Sequence, residues 1–339
     1  MAPVPRRAAL PQDPHPEHRL RLADIADAPA RIPPEFRDSP QYVCEPLADA
    51  LGCRLTLKVE TCNPIRSFKG RGASVLVSRL VETAAAADRS PLVGASAGNW
   101  GQALAYACRA ARWPLVLFAA ESANPLKVER MRALGAEVRL SGVDFDAAKL
   151  AAEAFAAERG WRMVADGRDV EASLGAATIG IELCDTAKPF DAVLVPLGNG
   201  ALLTGVGRWI KAASPTTRII GVQATGADAM ARSWRTGTLV FPPTIDTIAD
   251  GIGVRVPIAE AVDDMRTTVD DVVLVEDEPL IAAMRLLHQH AGLVVEPSGA
   301  AGVAALVRSS APWAGARVAA IVCGGNLTPA QMHRWLAPA

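Results

Sequence analysis

The stretch AVLVPLGNGALL, residues 192–203, combines a run of apolar and β-branched residues with a glycine-containing turn and the start of a helical pattern. This order of strand, turn and helix forms one βα unit. Comparable units recur, with strands expected at 55–60, 92–95, 115–119, 136–140, 192–196, 219–223, 272–275 and 318–322. Helical spacing occurs at 73–83, 98–112, 125–134, 144–158, 201–213, 280–291 and 299–307. Strands that alternate with helices predict an α/β protein with parallel sheets.

The composition narrows the class of protein. The 339 residues include 35 Lys plus Arg and 36 Asp plus Glu, a net charge of -1, and half of them are hydrophobic. This balance predicts a folded protein without a nucleic-acid or membrane partner. Six scattered cysteines without a C-x-x-C pair argue against a disulfide scaffold or a zinc site. We therefore expect a cytoplasmic protein.

The N-terminal region is rich in proline. Nine of the 25 prolines fall within the first forty residues, which contain no apolar run long enough for a secretory signal or a membrane span. Residues 1–38 are therefore predicted to be a flexible lead-in.

Ligands of open α/β sheets bind beyond the carboxyl ends of the strands, so the turns there are the candidate sites. The first is SFKGRGA, residues 67–73, which opens a helix. Lys69 in the first helical turn opposes the helix dipole, which favours negative charge there by about 0.3–1 kcal/mol. A neutral amine suits this position better, and the flanking glycines allow close approach of another group. The alternative is a solvated lysine at a helix end.

The second turn is ASAGNWGQ, residues 95–102. Its small residues Ser96, Ala97 and Gly98 would expose backbone N–H groups at a helix N-terminus, where a carboxylate binds well. Asn99 could offer its amide to an oxygen atom. The alternative is an ordinary turn in which Ser96 or Asn99 caps the helix.

Two further turns contain glycine. Backbone N–H groups from Gly198 to Ala201 can form a nest for a phosphate dianion, although the turn lacks the Walker A and G-x-G-x-x-G patterns and could be a simple connection. Cys323 follows the last strand and would present a thiol there, unless it is a buried structural cysteine. An amine, an anion site, a phosphate nest and a neutral polar atom together suit pyridoxal 5'-phosphate.

The same residues resemble the fold type II pyridoxal-phosphate enzymes, the tryptophan synthase β-like superfamily, and within it the branch of serine/threonine dehydratases and serine racemases. The resemblance extends from about Ser39 to Asn326. The stretches that carry it are SFKGRGA (67–73), ASAGN (95–99), Pro125, Lys127-Val128, GAEV (135–138), the Gly198 turn, ADGI (249–252), EPSGA (296–300) and CGGN (323–326).

The resemblance implies two open parallel-sheet αβα domains with the cofactor cleft between them. A large cofactor-binding domain would comprise residues 39–80 and 169–339. A small substrate-side domain would comprise residues 81–168. A homodimer is also implied by the resemblance.

The resemblance further implies the roles of the site residues. Lys69 would hold the cofactor covalently and take the Cα proton, and Phe68 would lie beside the ring. Asn99 would bind the cofactor's 3'-oxygen, and Cys323 would face its pyridine nitrogen. The turn from Ser96 to Asn99 would hold the substrate carboxylate. The phosphate would bind to Gly198, Asn199, Gly200, Ala201 and Leu202.

Several positions depart from the family pattern. Racemases of this branch resemble the chain but carry a catalytic serine where Ala97 stands, which disfavours racemisation. Gln223 and Ala229 stand where the family's cation site would have carboxylates, so no tightly bound metal is expected. Trp100 replaces a frequent histidine, and neither Trp100 nor Glu296 receives a role.

The implied activity is that of a pyridoxal-phosphate-dependent ammonia-lyase. It would convert L-threonine, L-serine or a related β-hydroxy amino acid into a 2-oxo acid and ammonia by α,β-elimination. The alternative is a β- or γ-replacement synthase of the same fold, similar to cysteine synthase or threonine synthase. A non-catalytic nucleotide binder is a third hypothesis, but it leaves Lys69 and the turn from Ser96 to Asn99 without a function.

Overall fold

The computed structural model describes residues 10–83 and 89–337. Within them the strands are β1 (Gln41–Val43), β2 (Arg54–Val59), β3 (Leu92–Ala95), β4 (Leu115–Ala119), β5 (Glu137–Leu140), β6 (Met163–Val164), β7 (Ala192–Pro196), β8 (Arg218–Ala224), β9 (Asp271–Val275) and β10 (Arg317–Val322). The α-helices are α1 (Leu22–Asp27), α2 (Glu45–Leu51), α3 (Lys69–Thr83), α4 (Asn99–Ala111), α5 (Pro125–Ala133), α6 (Phe145–Arg159), α7 (Val170–Cys184), α8 (Ala201–Ala213), α9 (Ala229–Thr236), α10 (Ala259–Thr268), α11 (Asp277–Ala291), α12 (Pro297–Arg308) and α13 (Pro329–Leu336). Residues 1–9, 84–88 and 338–339 lie outside the described residues. They belong, in that order, to the predicted lead-in, the predicted small domain and the predicted large domain.

The strands form two sheets. The six-stranded sheet has the order β1-β2-β10-β7-β8-β9, and all its pairs are parallel except β1 with β2. The four-stranded sheet has the order β5-β4-β3-β6 and is parallel throughout. The predicted α/β class with two parallel sheets is confirmed, and the short antiparallel edge strand β1 is an addition to it.

Helices cover both faces of each sheet. Alternate residues of a strand face opposite sides, and in β7 Val193 shares a hydrophobic cluster with Val206 of α8, whereas Leu194 shares one with Ala304 of α12. Strand β4 packs in the same way between α4 and α6. Burial on both faces explains the continuous apolar runs of these strands. Among the described helices, none combines the length and apolar content that crossing a bilayer requires.

The two sheets use different parts of the chain. The strands of the six-stranded sheet come from residues 41–59 and 192–322, and those of the four-stranded sheet from residues 92–164. Helices α3, α4 and α7 contribute to one shared cluster. The ranges of the strands do not by themselves define domain limits, so the limits at residues 80 and 168 remain a prediction.

The N-terminal segment differs from its sequence prediction. Residues 18–38 include several buried side chains that pack against the rest of the chain instead of forming a flexible lead-in, and Leu20 and Ile25 are fully buried. Arg208 of α8, which is also buried, donates from Nη2 to both carboxylate oxygens of Asp13, at 2.6 and 2.7 Å. It also donates from Nε to the carbonyl oxygen of Leu20, at 2.9 Å. Widely spaced apolar residues between prolines show no periodicity, so only tertiary contacts reveal that they belong to the core.

Leu20→Ala is expected to lower the free energy of unfolding by about 2–3 kcal/mol, because truncation of a fully buried leucine leaves a cavity. Leu10→Ala is the matched control: Leu10 is 56% exposed, so its loss should change stability by less than about 0.5 kcal/mol. Urea unfolding of the two variants measures the difference. Equal unfolding midpoints would contradict the packed N-terminal segment.

Candidate active site

Lys69 is the first residue of α3, and its amine is held by a carboxylate. Nζ lies 2.6 and 2.9 Å from the two Oδ atoms of Asp166. It also lies 4.8 Å from the centre of the Phe68 ring. The backbone N–H of Phe68 donates to the carbonyl oxygen of Cys323 at 3.1 Å, which attaches the start of α3 to the end of β10. The Lys69 side chain is 13% exposed, so the amine lies in a partly enclosed site.

The glycines that follow Lys69 are packing residues. A Cβ atom at Gly70 would lie 2.2 Å from the Phe36 ring. A Cβ atom at Gly72 would lie 2.7 Å from the Cα atom of Ala172 in α7. The glycines therefore allow close approach of other groups, as the sequence predicts, and the groups that approach there are Phe36 and Ala172 of the protein itself.

The turn from Ser96 to Asn99 joins β3 to α4. The Ser96 hydroxyl oxygen accepts hydrogen bonds from the backbone N–H groups of Gly98 at 3.2 Å and Gly101 at 3.1 Å. Ser96 therefore stabilises the turn, but the N-cap residue of α4 is Gly98 and Asn99 is the first helical residue, so neither Ser96 nor Asn99 occupies the cap position that the alternative proposed. A Cβ atom at Gly98 would meet no atom within 4 Å, so open space adjoins the backbone at the N-terminus of α4. Ala97 contributes no ionisable group.

The Gly198 turn joins β7 to α8. Gly200 adopts a φ of +97°, which favours glycine, and the Asn199 carbonyl oxygen Oδ1 accepts the N–H of Ala201 at 3.1 Å. The backbone N–H groups of Gly198, Gly200 and Leu202 have no acceptor among the described residues. These free donors lie at the positive end of a 13-residue helix, an arrangement that binds an anion.

Cys323 follows β10 and is buried. Its thiol donates to the carbonyl oxygen of Ser298 at 3.5 Å. Burial raises the pKa of the Cys323 thiol, and the nearby Glu296 adds to this effect while Lys69 opposes it. The Ser298 hydroxyl is buried without a partner among the described residues. Neutral polar groups therefore meet at this strand end.

Glu296 forms a buried network with two asparagines. Its Oε1 accepts from the Asn99 amide nitrogen at 2.7 Å, and its Oε2 accepts from the backbone N–H of Asn326 at 3.1 Å. The Asn326 amide in turn donates to Oδ1 of Asn99 at 2.8 Å. Burial raises the pKa of Glu296 to about 7; the charge of Asp250 contributes, and Lys127 partly opposes it. Asn99 is thus held in one orientation from both ends of its amide.

Glu296→Gln is expected to change how stability depends on pH. With a pKa of about 7 instead of 4.5, Glu296 keeps a proton in the folded state that the unfolded state has released. This contribution is complete below about pH 4.5 and is lost as the pH rises through 7, which lowers the free energy of unfolding by about 3 kcal/mol.

Urea unfolding of both proteins at about pH 5 and about pH 8 tests this expectation. The stability of the glutamine variant relative to the parent should rise between the two values, because only the parent loses the contribution of Glu296. A constant difference would contradict a proton-binding Glu296.

Two ion pairs connect the four-stranded sheet region to the loop before α10. Lys127 of α5 contacts Asp250 at 2.7 Å, and Asp146 of α6 pairs with Arg255. Both pairs join residues that are more than one hundred positions apart. The Lys127–Asp250 pair lies close enough to Glu296 for both of its charges to act on the pKa of that carboxyl group.

The segment considered for a cation has no cluster of ligands. Gln223 is buried and its Oε1 accepts the backbone N–H of Ala231 at 2.9 Å. Ala229 is the first residue of α9. In residues 10–83 and 89–337, no three His, Cys, Asp or Glu side chains come together as potential metal ligands. The expectation that no metal is bound remains a prediction.

The four turns selected from the sequence converge. The first meets the fourth through Phe68 and Cys323, and the second meets the fourth through the Asn99 and Asn326 amides. The third lies against Gly167, where a Cβ atom would be 3.0 Å from the Asn199 side chain. Gly167 directly follows Asp166, whose carboxylate binds Lys69 of the first turn. Sequence reasoning missed Asp166 and Asn326, and it left Glu296 without a role. The CGGN motif contained Asn326, but no motif marked Asp166.

Comparisons with known proteins agree with this geometry. A family model described as pyridoxal-phosphate dependent enzyme matches residues 32–324. The catabolic L-threonine dehydratase of Staphylococcus aureus is 32% identical over 317 residues, covering 91% of this chain and 90% of that protein. Processed threonine deaminase isoform 2 of Solanum lycopersicum superposes with a TM-score of 0.87 at 28% identity, covering 98% and 96% of the two chains. Maize serine racemase superposes with a TM-score of 0.84 at 27% identity, covering 92% and 95%.

Proposed function

Because the chain belongs to the family of pyridoxal-phosphate-dependent enzymes, we propose that it is an ammonia-lyase that acts on L-threonine, L-serine or a related β-hydroxy amino acid. The products would be a 2-oxo acid and ammonia. The similarity to an L-threonine dehydratase over nine-tenths of both chains carries this proposal. The lyase class follows from these relatives, and the choice of amino acid is the proposed part.

The residues of the site fit pyridoxal phosphate. Lys69 offers an amine in a partly enclosed position beside the Phe68 ring. The unpaired N–H groups of the turn from Gly198 to Leu202, at a helix N-terminus, suit a phosphate. Cys323, with its raised pKa, offers a neutral thiol for the pyridine nitrogen. Asn99 presents an amide whose second N–H can serve the 3'-oxygen.

The reaction would use this chain's groups in the following way. Pyridoxal phosphate, when bound, supplies an electron sink for the substrate's Cα. Lys69 would take the Cα proton as a general base. The N–H groups at the start of α4, in the turn from Ser96 to Asn99, would hold the substrate carboxylate beside the open space at Gly98.

Elimination is favoured over racemisation by Ala97. A racemase needs an acid or base on each side of the Cα atom, and Ala97 offers neither. The Asn99 amide in the same turn is a hydrogen-bonding group that neither gains nor loses a proton near neutral pH. This turn therefore supports carboxylate binding and provides no second proton-transfer group.

The test is product release by the purified protein supplied with pyridoxal phosphate. L-Threonine and L-serine are added separately, and 2-oxo acid and ammonia are measured with and without sulfide. Equal amounts of both products without sulfide are expected. The second candidate, a β- or γ-replacement synthase of the same fold, predicts instead that product forms only when a nucleophile is present.

We also propose a cytoplasmic homodimer without a nucleic-acid partner. The six cysteines are all unpaired, which suits a reducing compartment. The net charge of -1 provides no basic excess for nucleic acid. Light scattering of the purified protein tests the dimer, and a monomer mass would contradict it.

A further inference from the structure

Asp166 lies directly at the amine of Lys69. It follows β6 by two positions, and β6 pairs with β3 at Gly94 and Val164. The turn after β6 is stabilised by Asp169, whose carboxylate accepts the backbone N–H of Ala165 at 2.6 Å. Gly167, with a φ of +84°, places the chain against the Asn199 side chain. The backbone on either side of Asp166 is therefore held by its own turn and by the turn that begins α8.

The surroundings of Lys69 act on its charge in opposite directions. The N-terminus of α3 disfavours an ammonium group at this position. The Asp166 carboxylate favours it, because both Oδ atoms lie within hydrogen-bond distance of Nζ. The Phe68 ring at 4.8 Å and the Trp100 ring at 6.0 Å also favour a cation. With the pair only 13% and 22% exposed, solvent screens the Asp166 charge weakly.

We propose that Asp166 is the positioning residue for Lys69: it stabilises the ammonium group that forms when Lys69 takes the Cα proton. This inference rests on the elimination proposed above. In that step the Cα–H bond breaks and an N–H bond forms on Lys69. The electron pair of the Cα–H bond becomes the Cα=Cβ double bond, and the Cβ–O bond breaks with its pair leaving on the hydroxyl group. Asp166 gains and loses no proton; it accepts a hydrogen bond from the new ammonium.

The Asp166 carboxylate supplies a counter-charge at Lys69 Nζ that the helix terminus does not provide. Ala97 provides no second base in the turn from Ser96 to Asn99, so the rate of proton removal depends on Lys69. A carboxylate that favours the charged product of proton transfer lowers the barrier of that step. The substrate carboxylate is held elsewhere in this proposal, so the effect should appear in kcat and leave KM nearly unchanged.

The first experiment measures the charge of Lys69 without any turnover. Full-length protein freed of cofactor is treated briefly with acetic anhydride, which acylates neutral amines, and each lysine is quantified by peptide mass spectrometry. Asp166→Asn should raise the labelling rate of Lys69 by about tenfold or more, because the ammonium has lost its counter-charge. The variant keeps the size of the side chain and one oxygen acceptor.

Asp270→Asn is the matched control. Asp270 lies 2.8 Å from Lys211, and the two side chains are 31% and 20% exposed, similar to the Asp166 pair. Asp270→Asn should speed the labelling of Lys211 and leave that of Lys69 unchanged. Faster labelling of Lys69 in this variant would mean that the probe reports general loosening, which would overturn the assignment.

The second experiment measures catalysis by the holoenzyme. Asp166→Asn should lower kcat by about 10- to 100-fold with KM changed by less than about threefold. Asp166→Glu keeps the charge and should restore slow labelling of Lys69 and part of kcat. Loss of kcat without faster labelling in Asp166→Asn, or failure of Asp166→Glu to restore either quantity, would indicate a purely structural role and overturn the proposal.

The two proposals can fail separately. If the parent protein releases no 2-oxo acid, the proposed function fails, and the use of Asp166 in elimination fails with it. If the parent turns over and Asp166→Asn matches it in both labelling and kcat, only the assignment of Asp166 is wrong.

Discussion

Lys69→Ala is expected to lower 2-oxo acid release by at least about a thousandfold, because the variant loses both the covalent attachment point of the cofactor and the general base. The structure has placed no second amine at this position: the described neighbours of Lys69 Nζ are the Asp166 carboxylate and the rings of Phe68 and Trp100. Asp166 alone is a much weaker base, so it should not replace the lysine.

The measurement is absorbance together with product assay. Protein saturated with pyridoxal phosphate should absorb near 410 nm when the cofactor is bound covalently to a lysine, and borohydride should remove this band. Lys69→Ala should lack the band. Lys211→Ala is the control, since Lys211 pairs with Asp270 outside the site, and it should keep both the band and the activity. A borohydride-sensitive band in Lys69→Ala would disprove the assignment of the covalent lysine.

The convergence of the turns that follow β2, β7 and β10 could be predicted from the sequence, because the carboxyl ends of parallel strands meet at one edge of a sheet. The turn from Ser96 to Asn99 follows β3 of the other sheet, and its place in the same site was implied by the family resemblance. The turn from Ser96 to Asn99, the Gly198 turn and Cys323 each directly follow a strand with a clear apolar run, and Lys69 follows such a strand after a loop of nine residues. The local sequence pattern was sufficient to select these positions. The alternation of strands with helices predicted the fold class. The roles assigned to these positions came from the family resemblance and remain predictions.

Contacts between distant turns could not be predicted in this way. Asp166 follows the two-residue strand β6, which is too short for a periodic pattern, and it meets Lys69 only because β6 pairs with β3. Helix α7 was missed since most of its residues are buried, which removes the polar face that marks an amphipathic helix. The burial of Leu20 had no sequence signal among the prolines. In each case the contacts that determine the structure are made with residues far away in the sequence.

Arg71 is the centre of a buried ion network just after Lys69. Its guanidinium donates to both carboxylate oxygens of Glu60, at 2.8 and 2.9 Å, and to both of Glu182, at 2.6 and 3.0 Å. Lys58 also pairs with Glu182. Burial by itself would lower the pKa of Arg71, but the two carboxylates more than offset this and raise it, so the side chain stays charged. The network joins β2, α3 and α7, and thus fixes the helix whose first residue is Lys69.

Arg71→Met is therefore expected to lower the free energy of unfolding by about 3–5 kcal/mol, because it leaves Glu60 buried without a cation among its described partners and leaves Glu182 with Lys58 only. Arg79→Met is the control on the same helix. Arg79 is 26% exposed and pairs with Asp24 and Glu171 at 3.2 and 3.3 Å, so its loss should change stability by less than about 1 kcal/mol. Urea unfolding of both variants compares the same substitution at a fully buried and a solvated ion pair. If Arg71→Met unfolds at the same urea concentration as Arg79→Met, the buried network does not hold α3 in place, and the position of Lys69 must depend on the contacts of Phe68 and Gly72 instead.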